Sequence, residues 1–329
     1  MRAPDFWYTA PARPGWQARL LAPIAALYAA RTARRIARGT PETVGAPVIC
    51  VGNIDAGGTG TTPTVIWVMQ RVLEAGYRPQ AISRAQGGRA QAPVAVDPLR
   101  HRAAQVGDAP LLIAAFAPVW VGRDRGATAR AAISAGAEVL VLHGGFQDPA
   151  LKKDVSVVVA DAWRGFGNGR CIPAGPLREP VKAALARADV LLTLGDDAAQ
   201  AAFDPQPADV ARATGRLVPL KTGMDWAGAR VVAFAGIGDR GKLFATLRDL
   251  GATVLHAEVL DDRAAPHPGL LNRLQAQARA LDAQLVTTET DAVRLPVAFR
   301  STILTLPMRL EVDREDGLLG PIWAALGRS

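Results

Sequence analysis

Apolar residues along the chain fall into short continuous runs separated by longer stretches with helical spacing. Runs at 48–51, 79–84, 119–121, 138–142, 155–160, 190–194 and 231–235 read as buried strands, and 92–97, 253–260, 285–288 and 302–306 as further strands. Helices are predicted from 61 to about 76, over 109–117 with Asp108 as N-cap, and over 124–136, 242–250, 270–281 and 318–326. Strands alternating with helices predict a parallel α/β sheet, with ligand chemistry at the strand C-terminal ends. Ahead of them, residues 14–38 form an amphipathic pattern. Trp16, Leu20, Ile24, Leu27 and Tyr28 recur at helical spacing, and Arg19, Arg31, Arg34, Arg35 and Arg38 supply charge. Such a basic helix with aromatic anchors suits a membrane interface; a helix packed on the domain with solvated arginines is the other reading. Residues 198–225 show little pattern and read as a linker with short strands. The expected division is a basic amphipathic helix at 1–40, a phosphate-loop-like α/β lobe at 41–210 and a smaller α/β lobe at 211–329.

The stretch 46–64, APVICVGNIDAGGTGTTPT, is where pattern becomes chemistry. A strand runs into Gly57, Gly58, Thr59 and Gly60, and Thr61-Thr62-Pro63 opens a helix. That arrangement cradles a phosphate on backbone N–H groups at a helix N-terminus. A phosphate loop reads G-x-x-x-x-G-K-[ST]. Gly60 and Thr62 fit, but Thr61 stands at the lysine position and Asp55 at the first glycine.

Composition adds little until charge is considered. The 329 residues are 49% hydrophobic and 21% charged, ordinary for one or two globular domains. Net charge is +8, which favours an anionic partner such as phosphate or an acidic membrane surface, or reflects free use of arginine. Aromatics are 5% without a basic-aromatic platform, which disfavours nucleic acid. Cys50 and Cys171 lie far apart among apolar residues, pointing to a reduced interior and away from zinc. No apolar stretch has the length of a membrane span.

Several motifs in fixed order carry a resemblance: VGNIDAGGTGTTPT (51–64), ISRAQGGR (82–89), VGDAPLLIA (106–114), GGFQDPALKKD (144–154), GNGRCIPAGPLREP (167–180), FAGIG (234–238) and TTETDAVRLP (287–296). Together they resemble the tetraacyldisaccharide 4'-kinase family, the lipid A 4'-kinases. The resemblance implies two α/β/α sandwich lobes, the first like a phosphate-loop NTPase, behind the N-terminal amphipathic helix. It implies Mg-ATP as cofactor and phosphorylation of the 4'-hydroxyl of an acylated glucosamine disaccharide. It also implies a cytoplasmic, peripheral location on the inner face of the inner membrane.

The same resemblance exposes departures. The family's GGTGKTP lysine is Thr61 here, and the glutamate of its GDEP is Ala109. After Ser83-Arg84 the family's SRGYG continues as Ala85-Gln86. The two aspartates of DDGFQH are His143 and Gly144, and the final histidine is Asp148. The histidine that partners the family's catalytic aspartate is Arg263, and the lysine of TEKD is Thr290. Retained are Gly57, Gly58, Gly60, Thr62, Arg84, Asp108 at the general-base position, Asn168, Arg178, Glu179, Asp262 and Arg294. Phosphoryl transfer rests on charge neutralisation. The residues therefore predict a catalytically degenerate member: scaffold kept, Asp108 idle, no metal site and turnover lost. The alternative is an active 4'-kinase with a rewired nucleotide and metal site, using Asp148. Asp148, His267, Lys152 and Lys153 are otherwise expected as solvated surface groups, and Arg178-Glu179 as an ion pair within its loop.

Overall fold

The structure is a computed structural model that describes residues 3–85, 88–204, 209–236, 240–260 and 266–328. Its strands are β1 (Val48–Gly52), β2 (Pro79–Ser83), β3 (Val94–Ala95), β4 (Val119–Val121), β5 (Val139–His143), β6 (Val155–Asp161), β7 (Val190–Leu194) and β8 (Ala211–Pro219). They continue as β9 (Arg230–Gly236), β10 (Thr253–Leu260), β11 (Gln284–Thr288), β12 (Leu304–Leu306) and β13 (Met308–Val312). The chain divides into a larger unit, Ala3–His101, Gln105–Leu217 and Leu310–Ser329, and a smaller one built on Val218–Arg309.

In the larger unit a nine-stranded sheet runs β13-β8-β7-β6-β1-β5-β2-β4-β3. β1 pairs in parallel with both β5 and β6, and the parallel pairing continues through β2–β5, β2–β4, β6–β7 and β7–β8. The short β3 pairs antiparallel with β4, and β13 runs antiparallel beside β8, where Asp313 N–H meets Thr214 O and Leu220 N–H meets Pro307 O. β1 is buried at every position, and its side chains alternate between two cores. Val48 and Cys50 join the core under Ala25, Ala129 and Ala132, while Ile49 and Val51 join the one holding Val65, Val68, Leu318 and Ile322. Helices therefore cover both faces, which is why the strands read as unbroken apolar runs. The chain leaves β1 toward β2 and leaves β6 toward β7, on opposite sides. β1 thus sits at a switch point, where the crevice beyond the strand C-termini receives ligands in open α/β sheets.

In the smaller unit a four-stranded sheet runs β10-β9-β11-β12, all parallel. Val231, Ala233 and Phe244 pack on one face, and Val232, Phe234, Leu271 and Leu274 on the other. Two α/β/α sandwiches are the observed architecture.

Four local expectations are corrected. The helix expected at 14–38 is two, Trp16–Leu20 and Ala22–Arg38, because Pro23 sits in the first turn of the second. The strand expected at 92–97 is reduced to Val94–Ala95. Asp108 is the first helical residue; Gly107, at φ 91°, is the N-cap. The expected linker at 198–225 contains the helix Asp197–Ala202 and the nine-residue β8. Where the sequence division places residues 310–329 in the C-terminal lobe, they return to the larger unit, because Leu310, Leu318, Leu319 and Ile322 fill its core.

Candidate phosphate site

The loop after β1 is braced from within and from beside. Asn53 Nδ2 donates to Asp55 Oδ1 (3.3 Å) and to the Gly57 carbonyl (3.1 Å). Gly60, at φ 91°, precedes the helix Thr61–Glu74, and a Cβ there would strike Leu194. Only glycine meets both demands. Thr64 Oγ1 closes the first turn on the Gly60 carbonyl at 2.9 Å. From beside, the 167–180 loop adds backbone bonds: Ala56 N–H to Pro176 O (2.8 Å) and Arg178 N–H to Ile54 O (2.6 Å). Arg178 Nε donates to the Asp55 carbonyl at 2.9 Å. Buried Asn168 holds that loop's turn through Ala174 O and reaches Phe6 O, while Trp7 Nε1 donates to Pro173 O. The chain start is thereby docked on the loop.

Neighbouring strand ends deliver the remaining groups to the same edge of the sheet. His143 closes β5, with Nε2 at 3.1 Å from Thr62 Oγ1 and Nδ1 at 3.0 Å from Ser83 Oγ. Burial, then the nearby Arg125 charge, pulls its pKa from 6.5 down to about 4, so the ring is neutral at physiological pH. Beyond it, Asp148 Oδ2 is paired with Arg84 Nη2 (2.6 Å) and Arg125 Nε (3.0 Å). Lys153 Nζ donates to the Asp148 carbonyl at 2.7 Å, and Arg125 Nη1 to the Gly144 carbonyl at 3.2 Å. Arg125 is buried, and burial lowers its pKa. Gly145, at φ 97°, lies against the Arg125 guanidinium, where a Cβ would approach to 2.7 Å. β6 ends in buried Asp161, which accepts from the backbone of Trp163 and Arg164; the Arg164 guanidinium lies 5.8 Å over the Tyr8 ring.

The structure thus gathers Gly57, Gly58, Thr59, Gly60, Thr62, Arg84, His143, Gly144 and Arg178 around one strand edge. Thr61 Oγ1 lies 3.4 Å from Thr59 Oγ1 and brings a hydroxyl where a loop lysine would bring charge. Asp108 and Ala109 open the helix Asp108–Ala114. In the smaller unit, Thr290 is exposed in the short helix Glu289–Ala292, Arg294 lies 3.6 Å from Asp291, and Asp291 accepts from Gly236 N–H and Thr288 Oγ1. Gln86, Asp262 and Arg263 lie outside the described residues.

Two of the groups expected on the surface, Asp148 and Lys153, are engaged instead, while Lys152 is exposed. Asp148 is a paired, largely buried carboxylate, and Lys153 is half-buried on its carbonyl. His267 is exposed, as expected, and caps the helix Pro268–Ala280 by accepting from Gly269 N–H. Arg178 and Glu179 do not pair with each other: Glu179 meets Arg187 at 2.5 Å and Gln147 at 3.0 Å. Arg178 instead donates to the Asp55 carbonyl, so the two sequence neighbours take different partners. Sequence reasoning missed Arg125, Ser83 and Arg164. Arg125 follows the N-cap Asp124 and looks like a helix-surface charge; its burial depends on β5 and its loop arriving beside it.

Asp55 is buried, and that burial raises its pKa to about 7, with its own backbone hydrogen bond and Arg178 opposing. Cys50 and Cys171 are free and buried, their thiols pushed up to about 11. Among the described residues no group of three or more His, Cys, Asp or Glu could hold a metal ion. Asp148 spends its carboxylate on two arginines and the Ala150 N–H. A Mg²⁺ caged by protein carboxylates does not fit this donor set. A cation carried in on nucleotide phosphates fits better, with Thr62 Oγ1 as its side-chain contact.

A family model described as LpxK: Tetraacyldisaccharide-1-P 4'-kinase matches residues 17–326. A tetraacyldisaccharide 4'-kinase of Dinoroseobacter shibae is 56% identical over 322 residues, covering 97% of this chain and 96% of its own length. One from a Jannaschia species is 51% identical over 331 residues, covering all of both chains. The crystal structure of LpxK from Aquifex aeolicus, described as an "apo" form in complex with ATP, superposes with a TM-score of 0.73. It shares 22% identity and covers 94% of this chain and 99% of its own; at that identity the likeness shows the fold alone.

Proposed function

The chain belongs to the tetraacyldisaccharide-1-P 4'-kinase family, and on that premise we propose that it transfers phosphate from ATP to the 4'-hydroxyl of an acylated glucosamine disaccharide through a rewired nucleotide site. The observation that carries the reading is the intact strand–glycine loop–helix cradle at the C-terminal edge of the sheet. Backbone N–H groups and the helix dipole at Thr61–Glu74 attract phosphate without side-chain help. Arg84 and Arg125, with Lys153 beside them, surround a single carboxylate, Asp148, and leave positive charge near the strand ends. That charge stands in for part of what Thr61 lacks. Mg²⁺ bound with the nucleotide would offset further phosphate charge, with Thr62 as the chain's contact. Asp108 is the residue we assign to take the acceptor hydroxyl's proton.

An acylated acceptor calls for a membrane surface, and our reading puts the reaction on the cytoplasmic face of the inner membrane. Trp16, Leu20, Ile24 and Leu27 are exposed next to Arg31, Arg34, Arg35 and Arg38, a lipid-facing pairing of apolar and basic groups. Among the described residues no helix is long and apolar enough to cross a membrane.

A second reading, in which the scaffold persists and turnover is lost, is favoured by Thr61, Ala109, His143 and Gly144 taken together. One lost electrostatic contact costs about 10²–10³ in rate, and losses compound without adding strictly. Phosphate transfer from labelled ATP to tetraacyldisaccharide 1-phosphate, with Mg²⁺ in detergent micelles, separates the two. A parallel variant carries Thr61→Lys, Ala109→Glu, His143→Asp, Gly144→Asp and Arg263→His. Turnover in the unaltered chain supports the kinase reading. Turnover in the variant alone establishes the second.

A further inference from the structure

We infer that His143 is a positioning residue for Thr62, fixing the Thr62 hydroxyl so that its lone pairs, and not its proton, face the phosphate loop. The inference deepens the kinase reading and rests on it only for the cation's role. Ser83 Oγ has one proton and two acceptors within reach, and we assign the proton to the Arg84 carbonyl at 3.1 Å, which can only accept, the opposite assignment being the other tautomer of His143. Toward His143 it can then only accept, so the 3.0 Å contact with Nδ1 requires Nδ1 to carry the ring proton. The ring is neutral, so Nε2 is bare and accepts. The 3.1 Å contact with Thr62 Oγ1 is then filled by the threonine's own proton. With that proton turned to the imidazole, the Thr62 oxygen presents only lone pairs elsewhere. Such an oxygen repels a bare phosphate oxygen and suits a cation that bridges to the phosphates. Ser83 fixes the ring, the ring fixes the hydroxyl, and the hydroxyl becomes a one-sided ligand.

His143 differs from a carboxylate at the same strand end in charge, not in the direction it turns the Thr62 hydroxyl. A carboxylate reaching Thr62 would also draw its proton, but it would add negative charge. The neutral ring orients Thr62 without contributing an anion, which leaves the cation dependent on nucleotide phosphates. The expected signature is ATP affinity strongly coupled to Mg²⁺, with little affinity for Mg²⁺ alone.

The test has a spectroscopic arm and a binding arm, both on the full chain. Long-range ¹H–¹⁵N spectra of protein labelled at histidine nitrogen report the tautomer of each of its four imidazoles. His143 is assigned by the signal lost in His143→Gln. The expected result is a proton on Nδ1, a bare Nε2, and an Nε2 resonance that moves in Thr62→Val. A proton on Nε2, or an Nε2 resonance indifferent to Thr62→Val, overturns the inference. Calorimetry then measures ATP affinity with and without Mg²⁺. His143→Ala should cut the Mg²⁺-dependent gain about tenfold. Thr62→Val should remove that gain and make His143→Ala silent in its background, and His143→Gln should recover part of it. An equal loss with and without Mg²⁺ marks a merely structural histidine and overturns the role. A wild-type chain whose ATP affinity ignores Mg²⁺ overturns the cation-facing half. One with no ATP affinity overturns the kinase reading as well, while the tautomer still decides the hydrogen-bond order.

Discussion

Asp55 and His143 lie on one strand edge and respond to pH in opposite senses. Burial raises Asp55 to about 7 from an ordinary 3.8, so between those values the folded state holds a proton that the unfolded chain has released. Stability from this residue therefore falls as pH rises from about 4 to about 7. His143 is lowered to about 4 from 6.5, so the unfolded chain binds the extra proton in that window. Its contribution is lost as pH falls from 6.5 toward 4. Above pH 6.5 only the Asp55 slope remains. Asp55→Asn keeps an oxygen for Asn53 Nδ2 and removes the titration. We expect its melting temperature at pH 8 to exceed that of the wild type by a few degrees, and the difference to vanish near pH 4. A difference unchanged across that range in thermal melts would show that Asp55 is not the titrating group.

At the scale of elements, the loop after β1 depends on one backbone conformation and one neighbouring strand. Gly60→Ala must hold a left-handed φ, at about 1–2 kcal/mol, and push its methyl into Leu194 at the end of β7. The expected outcome is a marginally weaker fold and a large loss of ATP affinity, measured by denaturation and calorimetry together. Retained affinity would mean that the cradle does not bind the phosphates. Thr61→Lys is the converse change. Its site is half-exposed, so the fold should tolerate it, and ATP affinity should rise. The 167–180 loop shows how two elements make one site. Arg178 reaches the Asp55 carbonyl, while its neighbour Glu179 turns away to Arg187 and Gln147. Motif density marked this loop in the sequence, but the partners of its charged pair were not legible there. An ion pair between adjacent residues is the local guess, and the strand connections brought better partners to each.

For the molecule as a whole, the return of the C-terminus governs stability. Leu318 and Ile322, fully buried on the helix Glu315–Ala325, belong to the core beneath β1 and β6. Leu318→Ala should cost about 2–5 kcal/mol, read in the unfolding of the larger unit. The N-terminal face makes a separate prediction about location. Vesicles containing anionic lipid should float the wild-type chain, and Leu20→Glu with Leu27→Glu should leave it in solution with its melting temperature unchanged, since both side chains are exposed. Flotation unaffected by those changes would remove this face as the lipid contact.

The alternation of strand and helix, the glycine cradle and the membership of a family were all legible in the residues alone. Those are local or motif properties, set by periodicity, by turn chemistry and by residue order. Folding was needed to show that the linker region contains β8, that the helix Glu315–Ala325 fills the core of the larger unit, and that Asp148 is held by Arg84 and Arg125. It alone placed His143 between Thr62 and Ser83. The physical reason is separation along the chain. Hydrogen-bond partners 60 and 81 residues apart meet because parallel strands bring their C-terminal ends to one edge. No local pattern records which ends will be neighbours.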